Sequence, residues 1–96
     1  MEQKKRKQIP KRIKDLPNMQ YKTERMLRKA GIHSIDELRE QGPVKAYRAI
    51  CGSQDKQPGI NLLFYIAGAL EGIHWSILPE TLRERLSRQA NSLSHL

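Results

Sequence analysis

The chain has 96 residues, and its 18 basic and 10 acidic side chains give a net charge of +8. A chain of this length forms one small domain with a modest core, and the single cysteine, Cys51, excludes an internal disulfide. The longest apolar stretch, residues 60–73, is too short to span a membrane, and no apolar signal segment follows the charged N-terminus. These features together favour a cytoplasmic protein.

The positive charge is concentrated at the N-terminus. Residues 1–14 contain seven basic side chains and one acidic side chain, a net +6, whereas residues 15–96 carry only +2. We therefore expect residues 1–14 to form a basic, largely disordered tail that supplies most attraction to polyanions. Removal of this tail should leave the fold nearly intact. Its basic residues are Lys4, Lys5, Arg6, Lys7, Lys11, Arg12 and Lys14.

Residues 16–32 have the layout of a helix-hairpin-helix element. A Leu-Pro start precedes a tight turn, an amphipathic helix over about residues 20–30, and a stop at Gly31. Such turns offer backbone N–H groups to phosphate, and they usually place glycine at the two positions occupied here by Asn18 and Gln20. Asn18 tolerates the left-handed region but Gln20 does so less readily. The pattern predicts the shape of the motif with weakened phosphate binding.

The outer side of this helix should be basic and partly neutralised by Glu24. Its cationic side chains could grip a phosphate backbone, or they could form an ordinary solvated helix face, and the sequence leaves both interpretations open. These side chains are Lys22, Arg25, Arg28 and Lys29.

Two helices should follow the hairpin. The first begins at a capping box formed by Ser34 and Glu37 and ends at Gly42. The second starts with Pro43 in its first turn, where proline is tolerated, and ends at Gly52.

In the C-terminal half, the sequence predicts a polar loop over residues 53–59 and then two more helices. Residues 60–71 are apolar nearly all round, which indicates the central buried helix. The last helix should begin near Pro79, expose Arg83 to water and fray after about Ala90, so that residues 91–96 form a frayed C-terminus. The expected core of the central helix consists of Leu63, Ile66, Leu70 and Trp75. The resulting fold class is all-α, a compact bundle of about five helices of the helix-hairpin-helix or SAM-like kind.

No catalytic, cofactor or metal site is evident in the sequence. The histidines, His33, His74 and His95, lack the spacing of metal ligands. His74 is better interpreted as a structural neighbour of Trp75, and Cys51 as semi-buried packing without a base to activate it. The chain is therefore not predicted to be an enzyme or to bind a small-molecule substrate.

Several blocks of the chain resemble a known family. They are residues 33–39, residues 42–48, the string Leu-Glu-Gly-Ile-His-Trp at residues 70–75, and the Leu-Pro pair at residues 78–79. In this order they resemble the C-terminal domain of the TfoX/Sxy competence-regulator family over roughly residues 13–88. The resemblance implies a helical domain over residues 15–90. It also implies a non-enzymatic accessory regulator of DNA-uptake competence in a bacterial cytoplasm.

Two functional classes remain open, since the sequence does not predict an enzyme. The chain could be a protein-interaction module for a component of the transcription machinery, or a nucleic-acid-binding module that does not read sequence, since no base-reading recognition helix is evident. The partner and the oligomeric state are not predicted. The residues expected to contact DNA or RNA in the second case are Lys4, Lys5, Arg6, Lys7, Lys11, Arg12, Lys14, Asn18, Gln20, Lys22 and Arg25.

Overall fold

The computed structural model describes residues 10–54 and 56–94. Within these residues the chain forms four helices and two 3-10 turns and no strand, which confirms the all-α prediction. The helices are α1 (Tyr21–Lys29), α2 (Ile35–Ser53), α3 (Asn61–Glu71) and α4 (Glu80–Ser94), and the 3-10 turns are Ile13–Asp15 and Trp75–Ile77. Of the tail over residues 1–14 that is predicted to be largely disordered, residues 1–9 lie outside the described residues. Helix α4 continues past Ala90, where the sequence predicts the fraying to begin.

Helix α2 consists of two helical segments that meet at Gly42, where the sequence predicts one helix to end and the next to begin. The backbone of Gly42 is not helical, with φ 81° and ψ 168°, and the second segment starts at once with Pro43. Positive φ is inexpensive for glycine because it has no Cβ, and Pro43 needs no N–H donor at the start of a helical segment. The two predicted helices therefore follow one another without a loop between them.

The start of α2 is capped nearly as predicted. The Ser34 hydroxyl accepts a hydrogen bond from the Glu37 N–H at 3.1 Å. The reciprocal bond of a capping box would come from the Ser34 N–H, but the Glu37 carboxylate instead accepts from the N–H of His33 at 2.6 Å. The carboxylate therefore satisfies a donor one residue earlier, and it still lies at the positive end of the helix.

Helix α3 lies at the centre of the core, as its apolar sequence predicts. It packs mainly against α2, and α2 in turn contacts both α1 and α4. The largest side chains that are fully buried come from the first 3-10 turn and from three helices: Ile13, Leu27, Leu38, Ile50, Leu63 and Ile66. The core therefore includes the segment before α1.

Three expectations about burial were wrong. Leu70 and Trp75 are only partly buried, because they pack against the edge of the core and do not lie inside it. Arg83, expected to face water, is partly buried, and its Nε is enclosed.

Two glycines of α3 have distinct roles that follow from their surroundings. Gly72 ends the helix in the left-handed conformation at φ 77°. Gly68 lies under other chain segments, and a Cβ built there would be 2.6 Å from Asn18 Nδ2, 2.9 Å from the Ile73 carbonyl oxygen and 3.2 Å from Trp75 Cα. The absence of a side chain at Gly68 thus permits the close approach of the hairpin turn and of the chain that follows α3.

Replacement of Gly68 by alanine should destabilise the domain by about 1–3 kcal/mol, since the new methyl group overlaps backbone atoms that are not free to move. Gly52 is the matched control, because it is helical and a Cβ there would meet nothing within 4 Å. Gly52→Ala should be neutral or stabilising by up to about 1 kcal/mol. Chemical denaturation of both variants checks this, and equal stabilities would contradict the packing described for Gly68.

Candidate functional site

The turn between the first 3-10 turn and α1 is held by the side chain of Asn18. Its Nδ2 donates to the carbonyl oxygens of Tyr65 at 3.2 Å and Ile73 at 3.0 Å. Its Oδ1 accepts from the Trp75 N–H at 3.1 Å. We call these three hydrogen bonds the Asn18 clasp. The hydrogen-bonding groups of the Asn18 side chain are thus used within the protein. They join the hairpin turn to α3 and to the segment that follows α3.

The backbone of this turn shows which of the two glycine-like positions requires unusual geometry. Asn18 has φ 67°, the left-handed conformation that asparagine tolerates. Gln20 has φ −136° and is extended, so it needs no glycine. Gln20 precedes α1 but makes no side-chain hydrogen bond that caps it. The first N–H groups of α1 therefore have no side-chain acceptor from that residue.

An aromatic pocket of about 440 Å³ opens beside the clasp. One wall is formed by the rings of Tyr65, His74 and Trp75. The Tyr65 and Trp75 rings meet edge to face with centroids 5.4 Å apart, and the His74 ring lies 6.0 Å from that of Trp75 at an angle of 32°. The opposite wall consists of the hairpin and the first turn of α1: Asn18, Met19, Gln20 and Thr23.

Glu24 is a buried carboxylate, not a member of the exposed face of α1 as the sequence suggested. Its residue is 2% exposed. Arg12 donates to both of its oxygens, from Nη2 at 2.5 Å and from Nε at 3.3 Å, and the Lys14 N–H donates at 3.3 Å. Arg28 approaches to 3.9 Å. The hydrogen bond from Arg12 is the main reason that the pKa of Glu24 is lowered, and the same bond raises the pKa of Arg12.

Two residues of the expected basic tail therefore belong to the folded domain. Arg12 pairs with Glu24, and Lys14 lies 3.3 Å from the Asp15 carboxylate. Between them, Ile13 is only 1% exposed. This segment supplies a buried side chain and the partner of a buried charge. These contacts argue against the expectation that residues 1–14 can be removed with the fold nearly intact.

The exposed side of α1 is basic, as predicted, and more uniformly so because its single carboxylate is buried. Lys22, Arg25, Arg28 and Lys29 are exposed. Three of them line a shallow groove of about 180 Å³ with Met26 and Gln54, and none of the described residues that line it is acidic. The Arg25 guanidinium lies 5.7 Å from the centre of the Tyr21 ring. We call this surface the α1 basic face.

The other residues predicted to contact nucleic acid are placed as follows. Lys11 is exposed, and Gln20 is exposed at the mouth of the aromatic pocket. Lys4, Lys5, Arg6 and Lys7 lie outside the described residues.

A third surface, which the sequence analysis did not single out, is a groove of about 540 Å³ along α4. Phe64 contributes an apolar patch, and the α4 side chains that line it are both acidic and basic: Glu80, Arg83, Glu84, Ser87, Arg88 and Asn91. The Nε of Arg83 is buried and makes no hydrogen bond to any described residue. Buried polar groups are nearly always paired, so this enclosed donor is an exception among the described residues. We call this surface the α4 groove.

Neither a metal site nor a membrane-spanning helix is seen in the part of the chain that the structure describes. No three side chains of His, Cys, Asp or Glu lie close enough together to hold a metal ion. No helix formed by residues 10–54 and 56–94 has the length and apolar character needed to cross a bilayer.

Comparison with known families and proteins places these surfaces in context. The model of the family described as the TfoX C-terminal domain matches residues 9–90. The DNA transformation protein TfoX1 of Aliivibrio fischeri is 38% identical over 78 residues, which are 81% of this chain and 37% of that protein. Protein Sxy of Escherichia coli is 35% identical over 83 residues, or 86% of this chain and 39% of that protein. The chain thus spans less than two-fifths of these relatives.

Solved structures agree on the fold. An uncharacterized protein from Listeria monocytogenes, in a triclinic crystal form, superposes with a TM-score of 0.78 at 31% identity and covers 86% of this chain and 93% of that chain. A Listeria monocytogenes protein of unknown function in a tetragonal form gives 0.76 at 31% identity, with 83% and 98% covered.

The Arg12–Glu24 pair should make the domain acid-sensitive. Since the folded-state pKa of Glu24 lies below its ordinary value of 4.5, its stabilisation is complete above that value and is lost as the pH falls through the lower folded-state pKa. Glu24→Gln should be less stable at neutral pH and lose less further stability on acidification. Asp15→Asn is the control, because that exposed carboxylate should account for only a small part of the slope. The free energy of unfolding is measured at several pH values. If it depends on pH in the same way for wild type and Glu24→Gln, Glu24 is not the source of the acid sensitivity.

Two truncations test where the folded domain begins. Removal of residues 1–8 should leave the unfolding midpoint unchanged, because the contacts described above begin at Arg12. Removal of residues 1–14 should lower stability by at least about 3 kcal/mol, since it empties the site of Ile13 and leaves Glu24 without its partner. Thermal unfolding of both proteins checks this. Equal midpoints would mean that the segment Arg12–Lys14 contributes nothing to the fold.

Proposed function

The chain belongs to the TfoX C-terminal domain family, and from this we propose that it is an accessory regulator of DNA transformation that acts by binding a protein partner. Relatives of this chain are named DNA transformation proteins. Because the chain spans less than two-fifths of their length, the proposal concerns what this domain contributes. That contribution is a binding surface, not a catalytic centre.

The observation that supports a protein partner is the position of Arg83 in the α4 groove, where its side chain is half-buried and its Nε is enclosed by the protein. A side chain that is already held in place loses less conformational entropy when it binds a partner. A carboxylate of the partner would form a charge-assisted hydrogen bond with the guanidinium group, and such a bond is stronger than a neutral one. Arginine is also enriched among the residues that dominate protein interfaces.

The charges around the groove favour a protein over a polyanion. Glu80 and Glu84 line the same surface as Arg83 and Arg88, so a phosphate backbone would meet repulsion as well as attraction. Phe64 belongs to the core, and the 9% of its surface that is exposed adds a small apolar contact to the groove. We propose that the partner belongs to the transcription machinery of a bacterial cytoplasm and that it presents an acidic or carbonyl group beside an apolar side chain.

A second candidate function has its own support. The α1 basic face has no exposed carboxylate of its own helix, because Glu24 is buried against Arg12. Such a face suits binding of nucleic-acid backbones without sequence preference. The basic residues 1–11 would add to it through long-range attraction. Arg12 and Lys14 are less available for this because they pair with carboxylates.

The primary proposal predicts a specific loss of function in a chimera. In the chimera, the segment of Aliivibrio fischeri TfoX1 that matches this chain is replaced by the sequence of this chain. DNA transformation is then measured in that bacterium. Arg83→Met should reduce transformation at least about tenfold, as expected for loss of an interfacial arginine. It should leave stability unchanged or higher, because it removes an unpaired buried donor. Arg85→Met, at an exposed position that does not line the groove, is the matched control.

A second measurement separates the two candidate functions. The isolated chain is used to capture partners from a competent bacterium, with and without nuclease. A partner that survives nuclease and is lost with Arg83→Met supports the α4 groove. If both arginine variants behave like the parent in transformation and in capture, the groove is not the interaction surface.

A further inference from the structure

We propose that the aromatic pocket and the α1 basic face together form a binding site for single-stranded nucleic acid, in which one unstacked base enters the pocket and the adjoining phosphates lie along α1. This site does not depend on the α4 groove. It also goes beyond backbone attraction, because it assigns a place for a base. Three independent features of the described residues carry the inference.

The first feature is the aromatic wall. Tyr65, His74 and Trp75 are each at least partly exposed and lie around one opening of about 440 Å³. This volume lies within the range of pockets that bind small ligands. Aromatic side chains of this kind bind single strands by stacking on bases, and every base offers a planar face to them. In a duplex those faces are already occupied by neighbouring bases.

The second feature is a buried polar side chain in the same pocket. Thr23 is 8% exposed and lines the pocket. It lies in the first turn of α1, whose N–H groups receive no side-chain cap from Gln20. Donors at a helix N-terminus favour an anionic oxygen. The polar wall is therefore suited to a phosphate or to the edge of a base.

The third feature is the continuity of positive charge along α1. Thr23 lines the pocket and Lys22 lines the basic groove, and these consecutive residues of α1 lie about 100° apart around the helix axis. The groove lined by Lys22, Arg25 and Lys29 therefore begins at the same helical turn as the pocket but on another side of it. No acidic residue is among the described residues that line either cavity. A strand that leaves the pocket would pass around this turn to reach the cationic side chains.

Packing explains why the pocket is already formed in the free protein. The Asn18 clasp fixes the hairpin wall to Tyr65, Ile73 and Trp75 through their backbone groups. The clasp uses only the backbone of Tyr65 and Trp75, and the rings of both residues remain partly exposed. A pre-formed pocket spends no binding energy on ordering its walls.

Fluorescence of Trp75, the single tryptophan of the chain, provides a direct test with the full-length protein. Oligothymidylate and oligouridylate strands of about 12 nucleotides and a DNA duplex of the same length are the probes. Each single strand should quench Trp75, and at least one should bind about tenfold more tightly than the duplex. Because these two strands differ in the methyl group of thymine as well as in the sugar, an oligodeoxyuridylate strand is added to separate the two effects.

Variants separate the pocket from the charge. Tyr65→Leu and Thr23→Val should each remove most of the preference for single strands and leave duplex binding unchanged. The double variant Lys22→Ala and Arg25→Ala should weaken binding of every probe, whereas Arg85→Ala, an exposed charge on α4, should weaken it less. Removal of residues 1–8 should lower all affinities without abolishing the preference. Thermal unfolding confirms that each variant is folded.

Three results would overturn the proposal. The first is duplex binding as tight as single-strand binding, which would leave only a basic face. The second is single-strand binding without any change in Trp75 fluorescence, which would place the base elsewhere. The third is no binding of any probe, in which case the α4 groove could still function, since the transformation experiment measures it separately.

Discussion

The position of the hairpin in this domain depends on one asparagine side chain and the glycine opposite it. Asn18 satisfies two carbonyl oxygens and one N–H that belong to α3 and to the segment after it. Those backbone groups can be reached only because Gly68 has no side chain in the space that Asn18 Nδ2 occupies. The hydrogen bonds fix α1, through its turn, against the central helix. They also determine the outline of the aromatic pocket, whose two walls they connect.

Charge is distributed differently on α1 and on α4. On α1 the only carboxylate is paired with Arg12, which leaves the cations of that helix facing outward. On α4 the acidic and basic side chains share one groove. A uniform cationic surface attracts polyanions more strongly than a surface of mixed charge. The two proposed ligands, nucleic acid and a protein, would therefore bind different surfaces of this small domain.

Local patterns in the sequence were sufficient for most of the helices, since the apolar spacing of α1 and α3 and the cap at Ser34 depend on residues a few positions apart. Burial of Glu24 could not be foreseen in this way. Its partner, Arg12, lies 12 positions earlier in a segment whose composition indicates a disordered tail. Asn18 was recognised as a left-handed residue from its local properties, but its acceptors and donor lie 47 to 57 positions away. Arg83 looked like a solvated helix residue because nothing in its neighbourhood shows that Nε is enclosed.

The long reach of the Asn18 hydrogen bonds has a consequence for how the domain assembles and opens. Contacts between residues so far apart in the chain raise the average contact separation, and their closure entropy must be overcome before they form. The amide of Trp75 is bonded only while the first hairpin and the chain after α3 are together. Its hydrogen exchange thus reports the opening of that junction specifically, and a motion that frees this amide also separates the two walls of the aromatic pocket.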